Sequence, residues 1–131
     1  MVSELRKGLR CDPRVAAWFR RVPADEIYFS VLTVGEVRKG IESIRRRDIP
    51  AAENLEAWLD ELVTNYGDRL LPIDQGIAEQ WGHLNVPDPL PVIDGLLAAT
   101  AMVHGLILVT RNLKDVERTG VDCLDPFSTP P

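Results

Sequence analysis

Residues 91–115, PVIDGLLAATAMVHGLILVTRNLKD, constrain this chain more than any other stretch. The pattern predicts an almost wholly apolar helix, a turn at His104 and Gly105, a buried strand over 106–109, and a polar loop that ends in an acid. Asp94 and Asp115 bracket the segment. Ionised carboxylates are rarely buried unless they are paired or bound to metal, so an Asp that leads into so apolar a helix is the first feature to explain.

The chain before and after this segment alternates between the two hydrophobic periods. A helix fragment over 2–7 is followed by a helix start at Asp12 and Pro13, with Val15, Trp18 and Phe19 at helical spacing. Residues 27–31 are β-branched and aromatic and read as a strand; from Thr33 a helix carries Val34, Val37, Ile41 and Ile44 on one face and ends among arginines before Pro50. A second helix over 51–66 should pair with it as a hairpin. Residues 69–73 read as an edge strand with a proline, Asp74 caps a helix that runs to Leu84, and 85–91 is a loop with three prolines. A last strand falls near 121–124, and 126–131 is a tail. Strands that alternate with helices imply right-handed crossovers, so the expected class is α/β, a mainly parallel sheet covered by helices. The 131 residues suit one domain over 1–131.

A charged fraction of 27% and a hydrophobic fraction of 45% are those of a globular chain. A net charge of −5 argues against a protein that coats nucleic acid through its overall field, although Arg38, Lys39, Arg45, Arg46 and Arg47 crowd one predicted helix. No apolar run approaches the ~18 residues needed to cross a bilayer, and the N-terminus lacks a secretory core, so a cytoplasmic protein without membrane association is expected. Cys11 and Cys123 show no zinc or disulfide spacing and read as free thiols. His83 and His104 have no ligand spacing and read as structural, and Trp18, Trp58 and Trp81 as core or interface residues.

In a parallel sheet, ligands sit at the carboxyl ends of the strands. Connectivity places three acids on that edge: Glu36 a turn after the strand over 27–31, Asp94 in the first turn of the helix that returns to the strand over 106–109, and Asp115 after that strand. Like charges brought together in a partly dry site raise each other's pKa unless a cation shares them, and oxygen ligands without His or Cys favour Mg2+ or Mn2+. Other readings stay open for each. Glu36 completes a Thr33-x-x-Glu36 capping box, Asp94 suits an N-cap or first turn, and Asp115 suits a loop. Thr110 and Asn112 can orient a carboxylate or a water, and Arg111 and Lys114 can hold a phosphate; turn chemistry and surface solvation are the alternatives.

Taken together, these segments resemble the PIN-domain ribonucleases, in particular the VapC-type toxins of bacterial toxin–antitoxin pairs and their FitB-like branch. The matching residues are SELRKG at 3–8, YFSVLTVGEVRKGIE at 28–42, DRLLPID at 68–74, IDGLLAATAMVHGLILVTRN at 93–112 with Asp115 behind it, and GVDCLDPF at 120–127. The resemblance implies a parallel sheet, homodimerisation, neutralisation by a cognate VapB-type antitoxin, and Mg2+- or Mn2+-dependent endonucleolytic cleavage of RNA. It makes Glu36, Asp94 and Asp115 three of the family's four acids, acting as both catalytic and metal ligands. The family's opening strand, which ends in the first acid and lies in the middle of the sheet, has no counterpart before SELRKG. Glu4 sits on the helix side of that position. Met1 is therefore expected to mark a late start or a shortened chain, the strand lying upstream in the functional product. The alternative is a catalytically inactive or degenerate PIN-like module that binds antitoxin or RNA. A small-molecule phosphohydrolase, more distant, would need a nucleophilic Asp at the same missing position. The run Arg45, Arg46 and Arg47 is expected to guide RNA to the acids, with Arg111 and Lys114 closer in.

Overall fold

The structure, a computed structural model, describes residues 23–110 and 113–125. The expectations for 1–22, for Arg111 and Asn112, and for the tail at 126–131 lie outside these residues. They include the helix fragment at 2–7, the helix start at Asp12, the place of Glu4 and of the missing strand, and the state of Cys11.

Strand β1 (Phe29–Ser30) leads directly into helix α1 (Val31–Arg45). The sequence reading continued the strand to residue 31 and began the helix at Thr33. Ser30 overrides that pattern, because its hydroxyl accepts the Leu32 amide at 3.1 Å and caps the helix directly after the aromatic Tyr28-Phe29 pair. Helix α2 (Ile49–Asn65) follows, capped by Asp48, whose carboxylate accepts the Ala51 amide at 3.1 Å. It starts two residues before the expected 51, because a proline in the first turn costs no hydrogen bond and Pro50 is accommodated there.

The two helices form the expected hairpin, and their apolar stripes meet around Val37, Ile41, Ala52, Leu59 and Leu62, with Ile27 and Phe29 from the strand side. Ile41 is fully buried. Strand β2 (Leu70–Leu71) then pairs in parallel with β1, Phe29 opposite Leu70 and Ser30 opposite Leu71. Arg69 helps to set this register: its Nε donates to the Ile27 carbonyl at 3.1 Å and its guanidinium lies 5.0 Å from the centre of the Tyr66 ring, which in turn meets Phe29 edge-on.

Helix α3 (Gln75–Leu84) is capped as read from the sequence, the Asp74 carboxylate accepting the Ile77 amide at 2.9 Å. Helix α4 (Val92–His104) buries Gly95, Ala98, Ala99, Thr100 and Ala101, and Thr100 satisfies its hydroxyl on the Leu96 carbonyl at 2.8 Å. The small residues let α3 and α4 approach closely. A Cβ on Gly95 would lie 3.2 Å from the Trp81 ring and 3.3 Å from Leu90 Cβ. Gly105 ends α4 with φ of 66°, which L side chains rarely adopt, and the Leu106 amide closes the turn on the Ala101 carbonyl at 2.8 Å.

Strand β3 (Leu108–Val109) is followed by the short helix α5 (Leu113–Val116), a 3-10 turn over Glu117–Thr119 and strand β4 (Cys123–Leu124), which pairs in parallel with β3. A second core gathers Ala98, Ala101, Val116 and Val121. Cys123 is a free thiol, half-buried. Among the described residues the four strands make two separate two-stranded ladders rather than one continuous sheet. A cavity of about 630 Å3 lies between them, lined by Phe29 and Ser30 of β1, Leu71 of β2, Leu97 of α4, and Leu108 and Val109 of β3. No described helix is long and apolar enough to cross a membrane.

Candidate metal centre

Two of the three acids follow a strand, Glu36 after β1 and Asp115 after β3, whereas Asp94 opens α4, the helix that leads into β3. Glu36 is exposed on α1, six residues past the Ser30 cap. With the helix beginning at Val31, Thr33 is not the cap residue, so the capping-box role open to Glu36 in the sequence is not realised. Asp94 is half-buried in the first turn of α4, whose N-cap is Pro91. Pro91 makes no side-chain cap bond, and Asp94 is not the cap residue either. Asp115 is exposed, on the one-turn helix α5 rather than at the end of a loop.

Asp94 feels both of the other acids. Burial raises the Asp94 carboxyl above its ordinary range, and the charges of Asp115 and Glu36 push it further in the same direction. Among the described residues none of the three has an ion pair or a hydrogen bond to a cationic side chain. The contrast with the α1–α2 surface is instructive. There the Arg45 side chain, bonded to Glu42, holds that carboxyl below its usual range, and Arg38 does the same for Glu56. Glu42 and Glu56 are neutralised by the protein's own cations, whereas the three acids around Asp94 have no such partner among the described residues.

The donor chemistry suits a hard divalent cation, which would remove the repulsion that acts on Asp94. The carboxylates are not closed around a point: among the described residues no three His, Cys, Asp or Glu side chains are gathered tightly enough to hold a metal ion. Mg2+ keeps several waters and needs only one or two direct carboxylates, so an open arrangement of this kind can serve it. The cavity between the ladders reaches the same region, since Thr33, a turn before Glu36, and Leu97, a turn after Asp94, line it.

The family described as PIN domain matches residues 9–121, the greater part of the chain. The chain belongs to the PIN-domain family. VapC ribonuclease Y4jK of Sinorhizobium fredii is 30% identical over 135 residues, covering 97% of this chain and 93% of that protein. Toxin FitB of Neisseria gonorrhoeae is 26% identical, covering 94% and 93%. The crystal structure of FitAcB from Neisseria gonorrhoeae superposes with a TM-score of 0.86 at 25% identity, over 96% of this chain and 95% of that one. The α/β class expected from the sequence is thus the PIN fold, rendered here as a mostly helical domain with small parallel sheets.

The other residues singled out in this PIN domain are divided. Thr110 is half-buried just past β3, its amide donating to the Leu124 carbonyl at 3.0 Å, which places it at the carboxyl end of that ladder. Lys114 is exposed beside Asp115. Arg45 is engaged within the protein, with Nε on Glu42 at 3.0 Å and Nη2 on Glu42 at 3.1 Å and on Glu56 at 3.2 Å. Arg46 and Arg47 lie exposed in the turn after α1 with no ion pair among the described residues. His83 and His104 are exposed in the last turns of α3 and α4. Trp58 packs on the first core, and Trp81 lies against Gly95 with its indole N–H buried and without a hydrogen-bond partner among the described residues. Sequence reasoning did not single out Gly95 or Arg118, because a close packing contact and a bond to a backbone carbonyl leave no motif.

Proposed function

We propose that this PIN domain, a single unit over 1–131, is a Mg2+- or Mn2+-dependent endoribonuclease toxin neutralised by a VapB-type antitoxin. The observation that carries the reading is Asp94: a half-buried carboxylate at a helix amino end, disfavoured as an anion by burial and by Asp115 and Glu36, with no cation of the described chain beside it. Glu36, Asp94 and Asp115 would hold the ion, with Thr110 and Asn112 orienting carboxylates or water around it. When bound, such an ion supplies an acidified water and neutralises charge on the phosphodiester as it is cleaved. The chain's own work is to present the acids on one edge and to bring the RNA backbone there through Lys114, Arg111 and the exposed arginines. A homodimer and the antitoxin would cover apolar surface such as Val92, Val103 and Ile107, which are 59%, 46% and 62% exposed.

The test is cleavage of single-stranded RNA in Mn2+ or Mg2+. Cleavage is expected from the full chain, is expected to stop on chelation with EDTA, and is expected to fall about 100-fold or more in Glu36→Gln and Asp115→Asn. Wild-type speed in both variants would refute the site. The open placement of the acids also favours a second reading, a module that binds RNA or antitoxin without cutting; binding with no cleavage at any metal concentration would select it.

The arginines make a separable prediction. Each phosphate contact on a single strand contributes about 0.7 to the slope of log K against log salt. Arg46→Gln with Arg47→Gln should therefore flatten the slope of RNA binding by about 1.4. Arg45→Gln should change it little, because Glu42 and Glu56 already hold that guanidinium. Filter binding over a salt series decides between them, and an unchanged slope in the double variant removes the arginines from the RNA path.

A further inference from the structure

We propose that Arg118 is a positioning residue that clamps the amino end of α4, and with it Asp94, to the segment that carries Asp115. The inference rests on the reading of these two acids as ligands of one cation.

The segment before α4 is poorly able to fix itself. Pro87, Pro89 and Pro91 have no amide hydrogen to donate, so the loop offers mainly carbonyl oxygens. Asn85 ties one side of it, with its Nδ2 donating to the Trp81 carbonyl at 2.7 Å and its Oδ1 accepting the Leu90 amide at 2.9 Å. Arg118 ties the other. Its Nη2 donates to the carbonyls of Asp88 at 2.7 Å and Pro89 at 2.8 Å, just before Pro91, whose own carbonyl accepts the Gly95 amide at 2.8 Å in the first turn of α4.

The base of this clamp is itself anchored. Arg118 lies three residues after Asp115, in the 3-10 turn that continues α5. Val116 is buried below it, and the Thr119 hydroxyl donates to the Val116 carbonyl and accepts the Val121 amide at 3.2 Å. One guanidinium therefore spans the two chain segments that carry Asp94 and Asp115. Two carboxylates held near one another before a cation arrives repel, and the elements that bear them need a tie that does not depend on the cation. Bonds from a charged guanidinium to neutral carbonyls provide it. The Asp88 carboxylate is a minor partner, 4.0 Å from the guanidinium and mostly exposed. Both bonds leave one nitrogen, Nη2, whose two hydrogens are held in the guanidinium plane; a lysine ammonium can donate to the same carbonyls but without that fixed plane and on a differently shaped stem, so it should replace Arg118 only in part.

The experiment is calorimetric titration of Mn2+ into the full chain, with hydrogen exchange of the Gly95 amide followed on the same proteins. Arg118→Ala is expected to weaken Mn2+ binding about ten-fold, Arg118→Lys by less, and both should speed exchange at Gly95. Asp88→Ala should bind Mn2+ as the wild type does. Mn2+ affinity unchanged in Arg118→Ala overturns the clamp, as does an equal loss in Asp88→Ala. Should Arg118→Ala fail to fold, Arg118→Lys decides alone, and wild-type affinity together with wild-type exchange overturns it. A wild-type chain that binds no Mn2+ refutes the metal site instead; Gly95 exchange then judges the clamp, an unchanged rate overturning it.

Discussion

Replacing Asp94 with Asn is expected to reduce Mn2+-dependent RNA cleavage by about 100-fold or more, the scale that loss of even an outer partner of a metal site commands, while raising thermal stability at neutral pH. The two effects share a cause. Asp94 is the most buried of the three acids, and its anionic form is opposed first by desolvation and then by Asp115 and Glu36. An amide of the same shape removes both penalties and also removes the charge that would hold the cation.

The sign with pH follows from the direction of the shift. The folded-state pKa of Asp94 lies above its unfolded value, so the folded protein binds that proton more tightly. The associated stability is fully present below the unfolded pKa and is lost as pH rises through the folded one. The melting temperature of Asp94→Asn should therefore exceed that of the wild type at pH 7, and the gap should close as pH falls through the acid range. Adding Mn2+ should narrow the gap from the other side, by stabilising only the wild type. A variant that melts lower at neutral pH, or that cuts RNA as fast as the wild type, contradicts the placement of Asp94 in the site.

Ile41→Ala should destabilise the domain by about 2–5 kcal/mol, the range for truncating a buried aliphatic chain. Ile41 is fully buried where α1 crosses α2, among Val37, Ala52, Leu59 and Leu62, and both helices are anchored by caps that leave the hairpin little freedom to collapse into a void. Ile41→Val should cost about 0.5–1.5 kcal/mol. Urea denaturation measures both, as a fall in the midpoint at constant slope. A loss under 1 kcal/mol in the alanine variant would mean that the hairpin relaxes around the cavity. Because α1 also carries Glu36, RNA cleavage should fall in the alanine variant only at temperatures near its melting transition.

Much of this was legible in the residues. Periodicity located the α1–α2 hairpin and the α4 segment, since apolar spacing reflects the face a helix buries. Asp74 and Gly105 marked a helix start and a helix end by chemistry that acts within a few residues. The strand lengths were overestimated for a related reason. Residues 27–31 have strand composition throughout, but Ser30 supplies a cap that ends the strand at once, and hydrophobic patterning carries no information about that competition. Pro50 looked like a break because a proline is costly inside a helix, yet in the first turn it costs nothing.

The site divides in the same way. The sequence by itself singled out Glu36, Asp94 and Asp115 as candidates and proposed a common edge for them, because chain connectivity and the handedness of crossovers constrain where each element ends; the structure adds that the charges of Asp115 and Glu36 act on Asp94. Which acids have a cationic partner among the described residues was decided only in three dimensions. The basic residues on and just after α1 look in sequence like a free run, but the helical hairpin brings Glu56 of α2 against Arg38 and Arg45, and this pairing leaves Lys39, Arg46 and Arg47 as the exposed charges without an ion pair among the described residues. The tie from Arg118 to the carbonyls of Asp88 and Pro89 was likewise invisible, since any loop offers carbonyls and only packing brings a guanidinium to two of them. Local patterns record how a chain buries its own faces; the balance of charge around a carboxylate depends on partners far along the chain, and only the tertiary structure sets it.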